Sequence, residues 1–215
     1  MNTKDALSIY NKLSILHAGA ECELNFRTPF QLLVAVILSA QCTDKRVNMI
    51  TDKLFKVYDK PEQFASLTVD ELKPLIFSCG FYNNKGKNII AMSKALMKNH
   101  NGEVPRTMEE LVALEGVGRK TASVVLTVAF GIPAMPVDTH VFRVSRRLSL
   151  AKSTTAEGVE KELMNIIDKE KWHNFHHYLI FHGRYICHSR KPDCKKCNLT
   201  NYCAYYKENM TEDNL

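Results

Sequence analysis

The sequence predicts an all-α protein built from two helical lobes. Apolar residues recur at helical spacing along the chain, and no stretch alternates cleanly for long enough to demand a sheet. Thr68-Val69-Asp70-Glu71 and Thr107-Met108-Glu109-Glu110 have the capping-box pattern that starts a helix. The two prolines within residues 131–136 end the helix before them and force an extended crossing, which we interpret as the boundary between the lobes.

The individual helices are predicted in chain order from their apolar residues. They cover residues 29–40, 47–57, 82–100, 122–130, 141–148, 159–167 and 172–186. We therefore expect one six-helix lobe over residues 22–132, with a helical hairpin at about 107–130. The second lobe is expected from residues 1–21 together with 133–215, and a ligand is expected in a cleft between the lobes.

Composition narrows the possible functions. The 215 residues are 45% hydrophobic, which is sufficient for a core, and no apolar run is long enough to cross a membrane. The first residues have no apolar signal region, so we expect a reducing, cytoplasmic environment in which disulfides are rare. A net charge of +6 suggests a polyanionic partner.

Seven cysteines fall into two groups. Four of them lie within seventeen residues near the end of the chain, at Cys187, Cys194, Cys197 and Cys203. Thiolates at this density can surround one inorganic centre, and the spacing favours an iron–sulphur cluster over zinc, and zinc over disulfides. The other three, Cys22, Cys42 and Cys79, are scattered among apolar helical patterns and fit buried thiols without a ligand.

The cysteine segment is also basic. It contains Arg184, Arg190, Lys191, Lys195 and Lys196, against the single acid Asp193. Such a segment is either a solvated charged loop or a platform that contacts phosphates.

A glycine-containing turn precedes the apolar helix at residues 122–130. Gly116 and Gly118 permit positive φ and close backbone approach, and the unpaired N–H groups of the next helix point outward. The backbone of Gly116, Val117 and Gly118, together with the side chains of Arg119, Lys120 and Thr121, therefore suits a DNA phosphate. A plain turn between two helices is the alternative.

These motifs together resemble the endonuclease III superfamily of helix-hairpin-helix DNA glycosylases. Residues 114–122 are similar to its hairpin, residues 137–144 to its aspartate motif and residues 38–44 to its early motif. The cysteine spacing is similar to its 4Fe–4S loop. The matches run in family order from about residue 25 to 205, and Cys42 and Phe81 are the departures. The resemblance implies a 4Fe–4S cluster held by the four clustered cysteines.

The resemblance also implies roles for individual residues. Lys120 matches the nucleophile; both the helix N-terminus and Arg119 disfavour its ammonium form, and a nucleophilic amine must be neutral. Asp138 matches the carboxylate of the site. Gln41 matches a residue that fills the gap left in the duplex by the rotated nucleotide, and Phe81 matches a residue that wedges into the duplex. On the residues alone, Lys120 fits a phosphate contact, Asp138 a helix N-cap, Gln41 a helix-end polar residue and Phe81 a core aromatic.

The implied function is a bifunctional DNA glycosylase and abasic-site lyase of base excision repair that removes oxidised pyrimidines. Its partner would be double-stranded DNA with a damaged base or abasic site, bound by a monomer in a prokaryotic-type, nucleoid-associated setting without a membrane. The rival interpretations are a monofunctional glycosylase for adenine or thymine/uracil mismatches and a non-catalytic iron–sulphur DNA-binding module. The mismatch glycosylases usually lack a lysine at the position of Lys120, which this chain has.

Overall fold

The computed structural model describes residues 2–209 and is helical throughout, with no strand among them. Twelve α-helices lie in the described residues. They are α1 (Thr3–Leu16), α2 (Pro29–Ser39), α3 (Asp44–Leu54), α4 (Pro61–Ser66), α5 (Val69–Ile76), α6 (Tyr82–Asn99), α7 (Met108–Val112), α8 (Arg119–Phe130), α9 (Thr139–Arg147), α10 (Ala156–Ile166), α11 (Trp172–Tyr185) and α12 (Ala204–Asn209). The all-α prediction is confirmed. None of the helices in this range is long and apolar enough to cross a membrane.

The chain divides into two compact units. We call Glu23–Ile132 the hairpin unit, and we call Met1–Cys22 together with Pro133–Leu215 the cysteine unit. Met1 and residues 210–215 lie outside the described residues, so the outer ends of the predicted second lobe do as well.

The hairpin unit contains α2–α8. Helix α2 is its central element, because every residue from Phe30 to Leu38 is buried. Thr28 caps α2 by accepting a hydrogen bond from Gln31 N, and Pro29 occupies the first turn, where a missing N–H costs nothing. Helix α2 packs on α8, while α4 and α5 pack on α6.

The predicted caps of the hairpin unit are present. Thr68 and Glu71 form the reciprocal capping box at the start of α5, and Thr107 Oγ1 accepts from Glu110 N at the start of α7. The expectation that a helix extends to residue 57 is wrong, because α3 ends at Leu54 and Val57 is 62% exposed. Pro61 opens α4, which holds the residue before it in an extended conformation and separates the two helices.

The cysteine unit contains α1 and α9–α12. Helix α11 packs on α9 and on α1, and the core between them includes Leu13, Val144 and Phe175, which are fully buried. Helices α10 and α12 both pack on α9. The segment between α11 and α12 carries the four clustered cysteines and two short 3₁₀ turns, Cys194–Lys196 and Thr200–Tyr202.

Candidate active site

The hairpin lies between α7 and α8 and leaves the N-terminus of α8 open. Val117 is buried, and its N–H donates to Leu114 O at 3.1 Å, which closes the turn. Gly118 is the N-cap of α8 and offers no side chain to cap the helix, and a helix N-terminus of this kind suits an anion. A Cβ added to Gly118 would meet nothing within 4 Å, so the backbone here can be approached closely.

The two glycines of the hairpin serve different purposes. Gly116 has φ of +75°, and a Cβ on it would lie 2.7 Å from the side chain of Asn88 on α6. A side chain at residue 116 is therefore excluded by both conformation and space. Gly118 has φ of −85°. Gly118 does not use the positive φ that a glycine permits, because as the N-cap it adopts the extended backbone that starts a helix.

The predicted nucleophile lies on a rigid element. Lys120 is the second residue of α8, and its side chain is exposed beside the exposed Arg119 and the half-buried Thr121. The opposite face of α8 is anchored by buried residues such as Ala122 and Val125. An exposed amine on a fixed first turn can be directed at a bound nucleotide.

The predicted duplex-contacting residues occupy two strained turns of the hairpin unit. Gln41 has φ of 52° and Phe81 has φ of 48°, which are left-handed conformations unusual for residues with a side chain. Gln41 is exposed just beyond the end of α2, and Phe81 is 64% exposed at the start of α6. The alternative of a core position for Phe81 is wrong. Left-handed backbone at exposed side chains is a feature of binding sites.

Sequence reasoning missed Lys85, which lies beneath these turns. The side chain is only 5% exposed, and Nζ donates to Leu38 O at 2.9 Å and to Cys79 O at 2.7 Å. Burial lowers the pKa of the Lys85 ammonium. The available signal was its position: Lys85 precedes Ile89 and Met92 on the buried face of α6, where apolar residues are expected.

Asp138 is the N-cap of α9 in the cysteine unit, as the residue pattern predicts. Its Oδ1 accepts hydrogen bonds from His140 N and Val141 N, both at 2.8 Å. The cap thus uses one of the two carboxylate oxygens and fixes the orientation of the group. The side chain is half-buried.

Helix α9 is tied to α11 close to Asp138. Arg143 donates from Nη2 to Gly183 O at 2.9 Å and from Nε to Cys187 O at 3.1 Å. Gly183 is needed for this approach, because a Cβ on it would lie 2.8 Å from the Cβ of His140. Arg143 therefore connects the capped start of the aspartate helix to the beginning of the cysteine segment.

The four clustered cysteines line one pocket that opens to solvent. Arg147 Nη1 donates to Cys187 Sγ at 3.3 Å, and Tyr206 N donates to Cys203 Sγ at 3.4 Å. Donors directed at sulphur favour thiolates and are a means of tuning a sulphur-ligated centre. In the described residues, no three His, Cys, Asp or Glu side chains are placed to hold a single metal ion.

Burial opposes ionisation of three of these thiols, those of Cys194, Cys197 and Cys203. It raises the pKa of Cys197 to about 11, and burial is also the main cause that raises the pKa of Cys194 and of Cys203. Charged neighbouring thiols add to each of these shifts. A cationic centre would offset both effects, so the donor set fits an iron–sulphur cluster, which takes four thiolates.

The basic residues around this pocket differ in exposure. Arg190 and Lys191 are exposed, Arg184 is half-buried on α11, and Lys191 has φ of 49°. Lys196, which the charge count includes in the platform, lies 2.7 Å from Asp193 in an ion pair. Arg190 and Lys191, which are predicted to contact phosphates, are therefore exposed on the surface of the cysteine unit.

Comparison with known proteins defines the class. A family model described as "HhH-GPD superfamily base excision DNA repair protein" matches residues 34–169, which is more than half of the chain. The matched segment contains the hairpin, Lys120 and Asp138.

Individual relatives define the family within this class. The chain is 54% identical to Endonuclease III of Rickettsia prowazekii over 187 residues, which are 86% of this chain and 88% of that protein. It is 45% identical to Endonuclease III of Escherichia coli K12 over 205 residues, or 95% and 97% of the two chains. A solved structure of a trapped Endonuclease III–DNA covalent intermediate, an estranged-adenine complex, has a TM-score of 0.95 at 45% identity and covers 98% of this chain and 100% of its own. The chain therefore belongs to the endonuclease III family, and the resemblance drawn from the motifs is confirmed.

Proposed function

We propose that this enzyme of base excision repair is a bifunctional DNA glycosylase and abasic-site lyase whose nucleophile is Lys120. The observation that carries the proposal is the exposed amine on the first turn of α8, directly behind a hairpin whose backbone is open to a phosphate. An amine nucleophile can displace a base and then cut the strand, whereas a water nucleophile only displaces the base. The trapped covalent DNA complex of a relative with a TM-score of 0.95 supports the same chemistry.

The reaction begins with rotation of the damaged nucleotide out of the duplex, since an amine cannot reach the sugar inside the stack. The lone pair of Lys120 Nζ attacks C1′, the bond from C1′ to the base breaks, and the base leaves with the bonding electrons and takes a proton. The nitrogen then loses a proton, and its lone pair forms the C1′=N bond as the C1′–O4′ bond breaks. O4′ takes a proton, and the product is a ring-opened, protonated Schiff base. Loss of a proton from C2′ expels the 3′ phosphate, which is β-elimination.

Asp138 supplies the carboxylate of this reaction. A carboxylate stabilises the positive charge that develops on the sugar as the base departs, and it can accept and return the proton of the lysine amine. The N-cap supports this role because the hydrogen bonds from His140 N and Val141 N fix the orientation of the carboxylate.

The remaining contacts hold the DNA. Gly116, Val117 and Gly118 would bind a phosphate through the backbone, flanked by Arg119 and Thr121. Gln41 would fill the space vacated by the rotated nucleotide, and Phe81 would wedge beside the base that has lost its partner. Their exposed, left-handed turns support insertion.

The cysteine segment would hold a 4Fe–4S cluster through Cys187, Cys194, Cys197 and Cys203. When bound, the cluster replaces the protons of four thiols and cross-links the segment. Arg184, Arg190 and Lys191 would then contact phosphates from an ordered surface. We propose that the enzyme acts as a monomer on oxidised pyrimidines in a prokaryotic-type nucleoid.

Borohydride trapping tests the proposal. With DNA that carries thymine glycol or an abasic site, the enzyme should release the base, cut the strand and form a covalent adduct on reduction. Lys120→Gln should lose cutting and trapping but bind an abasic-site analogue within about threefold of the wild type, because it removes the nucleophile and not the phosphate contacts. Lys94→Gln, on the exposed face of α6, is the matched control and should trap normally.

Two results would contradict the proposal. Base release without cutting or trapping would indicate a monofunctional glycosylase, and binding with neither activity would indicate a non-catalytic module. A panel of duplexes with oxidised, mismatched and undamaged bases determines which bases are accepted.

A further inference from the structure

Lys85 is a buried cation in the middle of the hairpin unit. Lysine is almost never fully buried, because moving an ammonium out of water is costly unless its hydrogen bonds are replaced. Here Nζ donates to two main-chain carbonyls, Leu38 O and Cys79 O. Burying the Lys85 ammonium costs free energy that an apolar side chain would not. The lysine is therefore expected to provide something that an apolar residue cannot, namely hydrogen bonds to the two carbonyls.

The two carbonyls belong to helix ends that precede the duplex-contacting turns. Leu38 lies in the last turn of α2, three residues before Gln41, and Cys79 ends the 3₁₀ turn Phe77–Cys79, two residues before Phe81. Carbonyls at a helix C-terminus lack an intrahelical partner and carry partial negative charge. A cation between them satisfies both and holds the two chain segments together.

Each of these turns needs such support. A left-handed conformation costs about 1–2 kcal/mol for a residue with a side chain, and the exposed Gln41 and Phe81 have few contacts of their own to offset it. The same helix also reaches the hairpin, because Asn88 lies one turn after Lys85 and packs against Gly116. Helix α6 thus contacts the three turns that the proposed function assigns to DNA.

We propose that Lys85 is the positioning residue of lesion recognition: it fixes the Gln41 and Phe81 turns relative to each other so that both side chains enter the duplex together. The inference rests on the proposed function, since it assumes that these turns contact DNA. Lys85 itself touches neither DNA nor the reacting atoms. Its contribution is to pre-organise the turns, so that they need not be ordered during binding.

The test compares Lys85→Met with Lys94→Met. Methionine preserves much of the length and apolar volume of the lysine stem but cannot donate, and Lys94 is an exposed lysine two turns further along α6. Lys85→Met should weaken binding to a duplex with a tetrahydrofuran abasic-site analogue by roughly tenfold or more, since small misplacements of positioning groups have effects of this size. Binding to undamaged duplex should stay within about twofold, because phosphate contacts supply it. Lys94→Met should match the wild type in both.

A second readout reports insertion directly. 2-Aminopurine placed opposite the analogue fluoresces more strongly when it is unstacked, so the wild type should raise its emission and Lys85→Met should raise it less. In a Gln41→Ala/Phe81→Ala background, Lys85→Met should cause little further loss of affinity. If Lys85 acts through these two residues, the losses of binding free energy are not additive. A general loss of stability would change neither the fluorescence of a saturated complex nor this coupling.

The outcomes separate the two proposals. The inference is wrong if folded Lys85→Met retains the wild-type preference for the abasic-site analogue over undamaged duplex and the wild-type fluorescence change. It is also wrong if the loss of affinity in Lys85→Met adds fully to that of the Gln41→Ala/Phe81→Ala variant. Should Lys85→Met not fold, Lys85→Gln decides instead: its amide is one bond shorter, reaches only one of the carbonyls and should cause a smaller loss in the same assays. Failure of the wild type to trap DNA would contradict the proposed function, whatever Lys85→Met does.

Discussion

The Gln41 and Phe81 turns of the hairpin unit and the cysteine segment of the other unit present their side chains in a similar way. Gln41 and Phe81 in the first, and Lys191 in the second, are exposed residues with left-handed backbone. Such conformations persist only where the surroundings hold them. In both regions the strained residue therefore depends on a neighbouring support.

The supports differ in kind. The turns of the hairpin unit are held by the polypeptide itself, through the buried Lys85 and the packing of α6 against Gly116. The cysteine segment has few buried apolar residues, and burial raises the pKa of the Cys194, Cys197 and Cys203 thiols. We infer that lesion reading depends on turns that are ordered by packing, while part of the affinity for phosphates depends on a segment that is ordered by a cofactor.

The largest expected effect is that of Asp138→Asn, which tests whether the cysteine unit also contributes to chemistry. Asparagine caps a helix as well as aspartate does, so the melting temperature should change by only a few degrees. Turnover should fall by roughly two orders of magnitude or more, because the charge is lost. Thermal melting and single-turnover base release measure the two effects; a large loss of stability with activity intact would make Asp138 structural only.

Cys197→Ser should break the cysteine segment and leave the hairpin unit intact. Purified wild-type protein should contain about four irons per chain, and the variant far fewer. DNA affinity should fall by roughly tenfold or more, while trapping at saturating enzyme should continue, because Lys120 does not depend on the cluster. Cys22→Ser, outside the segment, is the control and should keep its iron. Stoichiometric zinc in wild-type protein purified without air would defeat the cluster assignment.

Substitution of each hairpin glycine by alanine should distinguish an effect on stability from an effect on DNA binding within the hairpin unit. Gly116→Ala should lower the free energy of unfolding by about 2 kcal/mol, because it combines positive φ with a clash against Asn88. Gly118→Ala should fold normally, since its φ is −85° and the space around it is open, yet it should weaken binding where the phosphate approaches. Denaturant titration and DNA titration measure the pair. Equal stabilities for the two variants would contradict the described hairpin.

Lys191→Ala should have the smallest effect. It should reduce the slope of log affinity against log salt concentration by about one unit. It should also weaken binding to all DNA sequences equally, because a phosphate contact carries no sequence information. Lys161→Ala, which removes one charge from an ion pair with Glu157 on α10, should leave the slope unchanged. If both variants reduced the slope equally, the cysteine segment would have no special role as a phosphate platform.

Local sequence signals predicted most of the fold and of the candidate site. Helical spacing, proline and capping patterns act over a few residues, which is why α2, α6 and the Thr68–Glu71 cap could be predicted. The glycine turn and the cysteine spacing are equally local. The extension of α3 to residue 57 failed because Val57 continues the apolar spacing after the helix has already ended.

The remaining features depend on the tertiary structure. Phe81 resembles a core aromatic until a left-handed turn places it at the surface, and the residues alone do not determine that turn. Lys85 acts on carbonyls 47 and six residues away, so no short motif contains the interaction. The negative φ of Gly118 follows from its role as an N-cap, a distinction from Gly116 that the pattern Gly-Val-Gly does not express.

The most direct test of the account is to locate the covalent bond. Wild-type enzyme reduced with borohydride on thymine-glycol DNA, then digested with nuclease and trypsin, should give one nucleotide-modified peptide, and fragmentation should place the modification on Lys120. A modification on another lysine or on the N-terminal amine, or strand cutting without any adduct, would contradict the claim that the hairpin amine performs the reaction.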